Sequence, residues 1–100
     1  MEHELTLRGD IDRAAEQQLE DGYRAATAAG ATSLMLDFSD AGYINSTGIA
    51  LIVGLLARAR AEKLQVSACG LSAHYREIFE ITRLADFMTI TDNEGSNHGA

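Results

Sequence analysis

Short runs with the two-residue period of a β-strand alternate with segments of helical period along almost the whole chain, and this order constrains the fold more than any other feature. Strands separated by helices do not pair as tight hairpins; they are joined by crossovers and lie mostly parallel in an α/β layer. Glu4 to Arg8 alternates polar and apolar, with Leu5 and Leu7 on one face. Ser33 to Phe38 carries Leu34, Met35, Leu36 and Phe38, the near-continuous apolar run expected of a central strand. Gln65 to Cys69 and Phe87 to Thr91 supply two more, so a mostly parallel four-stranded sheet with three to four helices is expected.

Between these runs the helix signals are plain. Gly9 and Asp10 read as a turn, and Asp12 as the N-cap of a helix whose apolar side falls at Ala15, Leu19, Tyr23 and Ala26. Gly30 suits a left-handed C-terminal position, while Gly22 weakens the helix by about 1 kcal/mol relative to Ala. A second helix starts at Ser46 or Thr47 and runs to about Glu62, with Ile49, Ile52, Val53, Leu56 and Ala59 at helical spacing. Ser72 caps a third, bearing Tyr75, Ile78 and Phe79. The predicted core contains Leu36, Phe38, Ile52, Leu56 and Ile78, within one domain over residues 1–92; the polar ending 93–100 lacks the side chains to dock and is expected to form a flexible tail.

A chain of 100 residues has room for one core, which buries roughly 65% of the surface that the unfolded chain exposes. Cys69 is the only cysteine and forms no internal bridge; it reads as a small buried hydrophobe. Eight basic against fifteen acidic residues give a net charge of -7, which opposes binding to nucleic acid or an anionic membrane surface. No stretch approaches the ~18 apolar residues of a membrane span, and the start Met1-Glu2-His3-Glu4 lacks the basic and apolar pattern of a secretory signal, so a cytoplasmic location is expected. The match of Asn45-Ser46-Thr47 to a glycosylation acceptor therefore carries no weight.

Enzyme readings fail on missing partners. Ser46 has Gly48 two residues on, but Ile44 stands where a nucleophile elbow needs glycine. His3, His74 and His98 have no metal-ligand spacing to one another or to Cys69, and Lys63, the only lysine, follows no phosphate-cradling loop. Neither a metal nor a cofactor is expected. Asp10, Asp12, Asp37 and Asp40 could cluster at the strand ends, yet turn and cap roles account for them more simply.

The informative segment runs from Leu36 to Ile49, where a strand and a tight loop lead through Asn45, Ser46 and Thr47 directly into a very apolar helix. A phosphate on Ser46 would meet the positive end of the helix dipole and its free N–H groups, changing the surface without unfolding the domain. On the residues alone, these three side chains serve equally well as alternative N-caps. Leu51 and Leu55 lie on a different side of the helix from Ile52 and Val53; they either form a docking surface beside Ser46 or pack against a neighbouring helix.

The run Tyr43-Ile44-Asn45-Ser46-Thr47-Gly48-Ile49, with Gly9-Asp10-Ile11-Asp12 before the first helix and Glu77 to Leu84 late in the chain, resembles the STAS domains of bacterial anti-sigma factor antagonists. The resemblance covers about residues 4 to 92. It implies a phosphorylation-controlled switch: an anti-sigma factor that is also a serine kinase, with a histidine-kinase-like ATPase fold, modifies the Ser of an Asp-Ser-Ser/Thr-Gly motif, and the unphosphorylated antagonist frees the sigma factor. Ser46 matches the phosphoacceptor and Asp12 an acidic residue beside it. The partner surface so implied comprises Asp12, Asn45, Ser46, Thr47 and Gly48, extended by Leu51 and Leu55.

Two departures stand out. Asn45 replaces the motif's Asp, removing the carboxylate that precedes the acceptor. The family's additional strand ahead of Glu4 to Arg8 has no counterpart, so an exposed sheet edge open to dimerisation or to cover by a partner is expected. Two other readings stay open. One is a non-switching STAS subunit of a stress-signalling complex or a lipid-transport ATP-binding cassette system; the other, a hydrolase built on Ser46, lacks a visible base.

Overall fold

The computed structural model describes residues 1–91. Four strands, β1 (Glu2–Thr6), β3 (Ser33–Asp37), β5 (Gln65–Cys69) and β6 (Thr89–Ile90), form a sheet in the order β1-β3-β5-β6, with every neighbouring pair parallel. Helices α1 (Glu16–Ala28), α2 (Ser46–Ala61) and α3 (Ala73–Ile81) supply the crossovers. The expected four-stranded α/β sheet is therefore present. The tail expected at 93–100 lies outside the described residues.

Two short strands were not visible in the sequence: β2 (Gly9–Ile11) and β4 (Ala41–Ile44) form a separate parallel pair. Gly9 and Asp10, expected as a simple turn, thus belong to a strand, although Gly9 does take a positive φ of 77°. Element limits shift as well. Asp12 caps a single 3₁₀ turn (Arg13–Ala15) by accepting from the Ala14 amide at 2.9 Å, and the α-helix proper follows from Glu16. Gly30 has the left-handed φ of 74° expected after the helix. The last strand is only two residues long; Phe87 closes a 3₁₀ turn (Leu84–Asp86) and is half exposed.

One face of the main sheet carries Leu34, Leu36, Val66 and Ala68, all buried under the helices. Gly22 lets α1 close on this face, since a Cβ there would collide with the Leu5 side chain. The glycine that lowers helix propensity is thus the residue that fits between helix and strand. β3 alternates buried and half-buried residues instead of being apolar throughout, because Met35 and Asp37 lie on the second face, where residues remain half-buried or exposed.

Of the predicted core, Leu36, Phe38, Ile52 and Leu56 are buried, while Ile78 only packs against the rim; Phe79 fills that place, meeting Phe38 edge-on at 5.9 Å. α1 and α2 are joined by the Tyr23 hydroxyl, which donates to Glu62 at 2.6 Å, and by Arg58, which stacks 4.2 Å from the Tyr23 ring centre and reaches Glu20 at 3.0 Å.

Candidate functional site

The site is the junction of β4 and α2. Two parallel strands hold it: β2 and β4 pair Ile11 with Ile44, and the Asn45 amide donates to the Ile11 carbonyl at 3.3 Å. Asp10 accepts from the Tyr43 amide at 2.9 Å, with its carboxylate lying over Gly42. From the opposite side, the Ile44 amide donates to the Tyr75 phenol oxygen at 3.0 Å. Three consecutive amides are thereby fixed by groups distant in the sequence.

Asn45 has extended backbone angles and its side-chain oxygen accepts from the Gly48 amide at 2.8 Å, so it is the N-cap of α2. Its carbonyl accepts from the Ile49 amide at 2.9 Å. Gly48 lies against Ile11, where any Cβ would overlap the Ile11 carbonyl oxygen. These contacts settle which of the three polar residues is the cap. Ser46 and Thr47 are exposed in the first turn, and neither hydroxyl has a partner among the described residues. A free hydroxyl beside the unpaired first amides of a helix can accept an anionic group with little strain.

Asp12 follows Ile11 and so stands beside the junction, but its carboxylate is engaged with the Ala14 amide. Asn45 to Gly48 form the capped first turn of α2, and Asp12 adjoins that turn in the chain through Ile11, which meets both Asn45 and Gly48. Leu51 and Leu55 do not extend an exposed patch: Leu55 is 7% exposed in the core and Leu51 packs against that core, both in the cleft facing α1 with Leu19 and Tyr23. The large apolar side chains exposed on either side of the hydroxyls in sequence are instead Tyr43, before the cap, and Val53, about two turns into α2, at 66% and 45% exposure. Val53, expected in the core stripe, points outward because Gly48 must face Ile11, and that contact sets the helix rotation.

The four aspartates considered from sequence each have local work: Asp10 and Asp12 bind amides, Asp40 pairs with Arg8 at 3.1 Å, and Asp37 accepts from the Ser39 amide and hydroxyl at 2.9 and 2.7 Å. No metal-ligating cluster occurs among the described residues. Burial pushes the Cys69 thiol up to about 11, with Asp37, Glu4 and Glu2 adding to the shift, so the thiol is a poor nucleophile. No helix among the described residues is long and apolar enough to cross a membrane.

A parallel sheet with helical crossovers, bearing two unengaged hydroxyls at the start of its longest helix, defines a class of small α/β domains. The family model described as "Mlab, STAS domain" matches residues 2–91, and the chain belongs to this STAS-domain family. The chain is 26% identical over 96 residues to the anti-sigma-B factor antagonist of Listeria monocytogenes, covering 96% of this chain and 84% of that protein. It is 28% identical over 94 residues to the anti-sigma-B factor antagonist of Staphylococcus aureus, covering 94% and 85%. The fold is shared with the Bacillus cell fate determinant SpoIIAA in its phosphorylated form, at a TM-score of 0.65 and 21% identity over 93% of this chain and 85% of that one. The unphosphorylated anti-sigma factor antagonist SpoIIAA superposes with a TM-score of 0.61 at 22% identity, covering 78% and 72%.

Proposed function

We propose that the protein is a cytoplasmic anti-sigma factor antagonist. It binds an anti-sigma factor kinase of histidine-kinase-like ATPase fold while Ser46 is unphosphorylated and releases it once Ser46 is modified. The observation that carries this reading is the exposed Ser46 hydroxyl at the capped start of α2, without a partner among the described residues. The names of the Listeria and Staphylococcus relatives support it. A phosphate at Ser46 adds about -1.5 to -2 charge where the helix tolerates it and a docked partner does not. Asp12, Asn45, Thr47 and Gly48 complete the contact surface, with Tyr43 and Val53 taking the apolar role first expected of Leu51 and Leu55.

The test uses titration calorimetry against a purified cognate anti-sigma factor kinase, with melting curves alongside. Ser46→Ala binds and resists phosphorylation, whereas Ser46→Asp binds roughly ten- to hundredfold more weakly at unchanged stability. Equal affinity for both variants, with phosphate found only elsewhere, overturns the switch.

A second reading, a non-switching STAS subunit of a larger assembly such as a lipid transporter, is favoured by two observations: the matched family model bears the name Mlab, and Asn45 replaces the carboxylate of the switching motif. Recovery of a transporter subunit instead of a kinase in a pull-down selects this reading.

A further inference from the structure

All-parallel sheets occur almost only with both faces covered, yet here α1 and α2 cover one face and the other carries no helix among the described residues. The pairing registers align Glu4, Met35 and Ser67 in one row across this open face, and Thr6, Asp37 and Cys69 in the next. At its centre the Ser67 hydroxyl lies 3.5 Å from the Met35 sulfur. Around that soft patch stand Glu2, Glu4 and Asp37, and no strand position on this face is Lys or Arg. Burial opposes the charge of Asp37, but hydrogen bonds from Ser39 and the nearby Arg8 outweigh it and hold the carboxyl below its ordinary range, so Asp37 is ionised at neutral pH. Glu2, Glu4 and Asp37 all bear on the Cys69 thiol, which places their charges in one shared field.

We infer that the open face of the β1-β3-β5-β6 sheet is a second docking surface, distinct from the Ser46 end, for a cationic amphipathic helix of a partner protein. Charge selects the occupant. A second copy would bring carboxylates against carboxylates, and an antiparallel pairing of β1 with itself would set Glu2 or Glu4 opposite Glu4. An anionic bilayer or nucleic acid repels the face for the same reason. The dimensions agree: three five-residue strands spaced about 4.8 Å apart, β1, β3 and β5, flanked by the two-residue β6, offer a platform about 17 Å long and about 10 to 14 Å wide, the footprint of one helix of about three turns. Met35 and Cys69 supply a polarizable centre for the helix's apolar side, and the three carboxylates meet its lysines. This surface stands or falls independently of the Ser46 switch.

The test is a backbone-amide NMR titration of the full chain with a synthetic amphipathic peptide of about 14 residues, lysines on one face and leucine and alanine on the other. The expected shifts concentrate on Glu4, Met35, Ser67 and Cys69. Affinity falls about tenfold in the double variant Glu2→Gln/Glu4→Gln, and much less in the charge-matched control Glu77→Gln/Glu80→Gln on α3. Shifts scattered over all acidic surface, or equal weakening in the two double variants, overturn the proposal in favour of non-specific attraction. Self-association through this face in the absence of peptide overturns it in favour of a homodimer.

Discussion

The Ile44 amide donates to the Tyr75 phenol oxygen across 3.0 Å, so a side chain of α3 holds the last residue of β4 in front of the exposed hydroxyls. Tyr75→Phe keeps the ring and removes the acceptor, leaving a partly buried N–H unsatisfied. Stability falls by about 1 to 2 kcal/mol, and amide exchange quickens at Ile44 before it does elsewhere in β4. Chemical denaturation and residue-resolved hydrogen exchange check both; unchanged exchange at Ile44 shows that the bond holds nothing in place.

Two glycines of α2 give opposite responses to the same substitution. Gly48→Ala drives a methyl into the Ile11 carbonyl and costs about 3 kcal/mol or more, because backbone and not a flexible side chain stands in the way. Gly54 has open space around the position of a Cβ, so Gly54→Ala stabilises by about 0.5 to 1 kcal/mol through helix propensity. Melting curves of the two variants, compared with the parent, decide the matter.

Asn45→Ala removes the side-chain acceptor of the Gly48 amide and costs about 1 kcal/mol, whereas Asn45→Asp keeps the cap and adds a favourable charge at the helix start. If the missing carboxylate limits recognition by a cognate kinase, Asn45→Asp also raises the rate of Ser46 phosphorylation. Equal rates with purified kinase show that the amide serves as well.

Tyr23 provides a pH dependence in the alkaline range. Burial, reinforced by the hydrogen bond to Glu62, pushes its phenol up to about 12, against the ordinary 10.0. The folded state therefore keeps a proton that the unfolded chain releases. This contribution is fully present below about pH 10 and is lost as pH rises from about 10 to 12, on the order of 2 kcal/mol. Denaturation across that window shows a steeper decline for the parent than for Tyr23→Phe.

The residues that were legible in the sequence are those whose own neighbours declare them. Leu34 and Leu36 lie in a strand-patterned run, Ser72 precedes a helix, and Gly30 ends one; each is a local signal that the fold keeps. β2 and β4 were hidden because runs of three and four residues, each containing a Gly and each bearing or following an Asp, look like turns until each finds the other. The rotation of α2 was hidden for a related reason. The helix is apolar on nearly every side, so periodicity alone does not choose between Val53 and Leu55. Gly48 chooses, and counting from it by helical spacing gives Ile52, Leu55, Leu56 and Ala59, the side chains that are buried. A glycine in the first turn of an apolar helix was the available clue, and only the approach of Ile11 gives it meaning.

The β2–β4 pair also links the presentation of Ser46 to the folded state of the whole chain. Asp10 and Tyr43 are 33 residues apart in sequence, and the segment between them includes α1 and the central strand β3. A contact of that range forms only after a long loop has closed around a structured middle. A chain that has α2 but not this closure has the Asn-Ser-Thr-Gly residues without the platform that aims them. Any partner that reads the loop by its shape therefore reads, at the same time, whether the protein has finished folding.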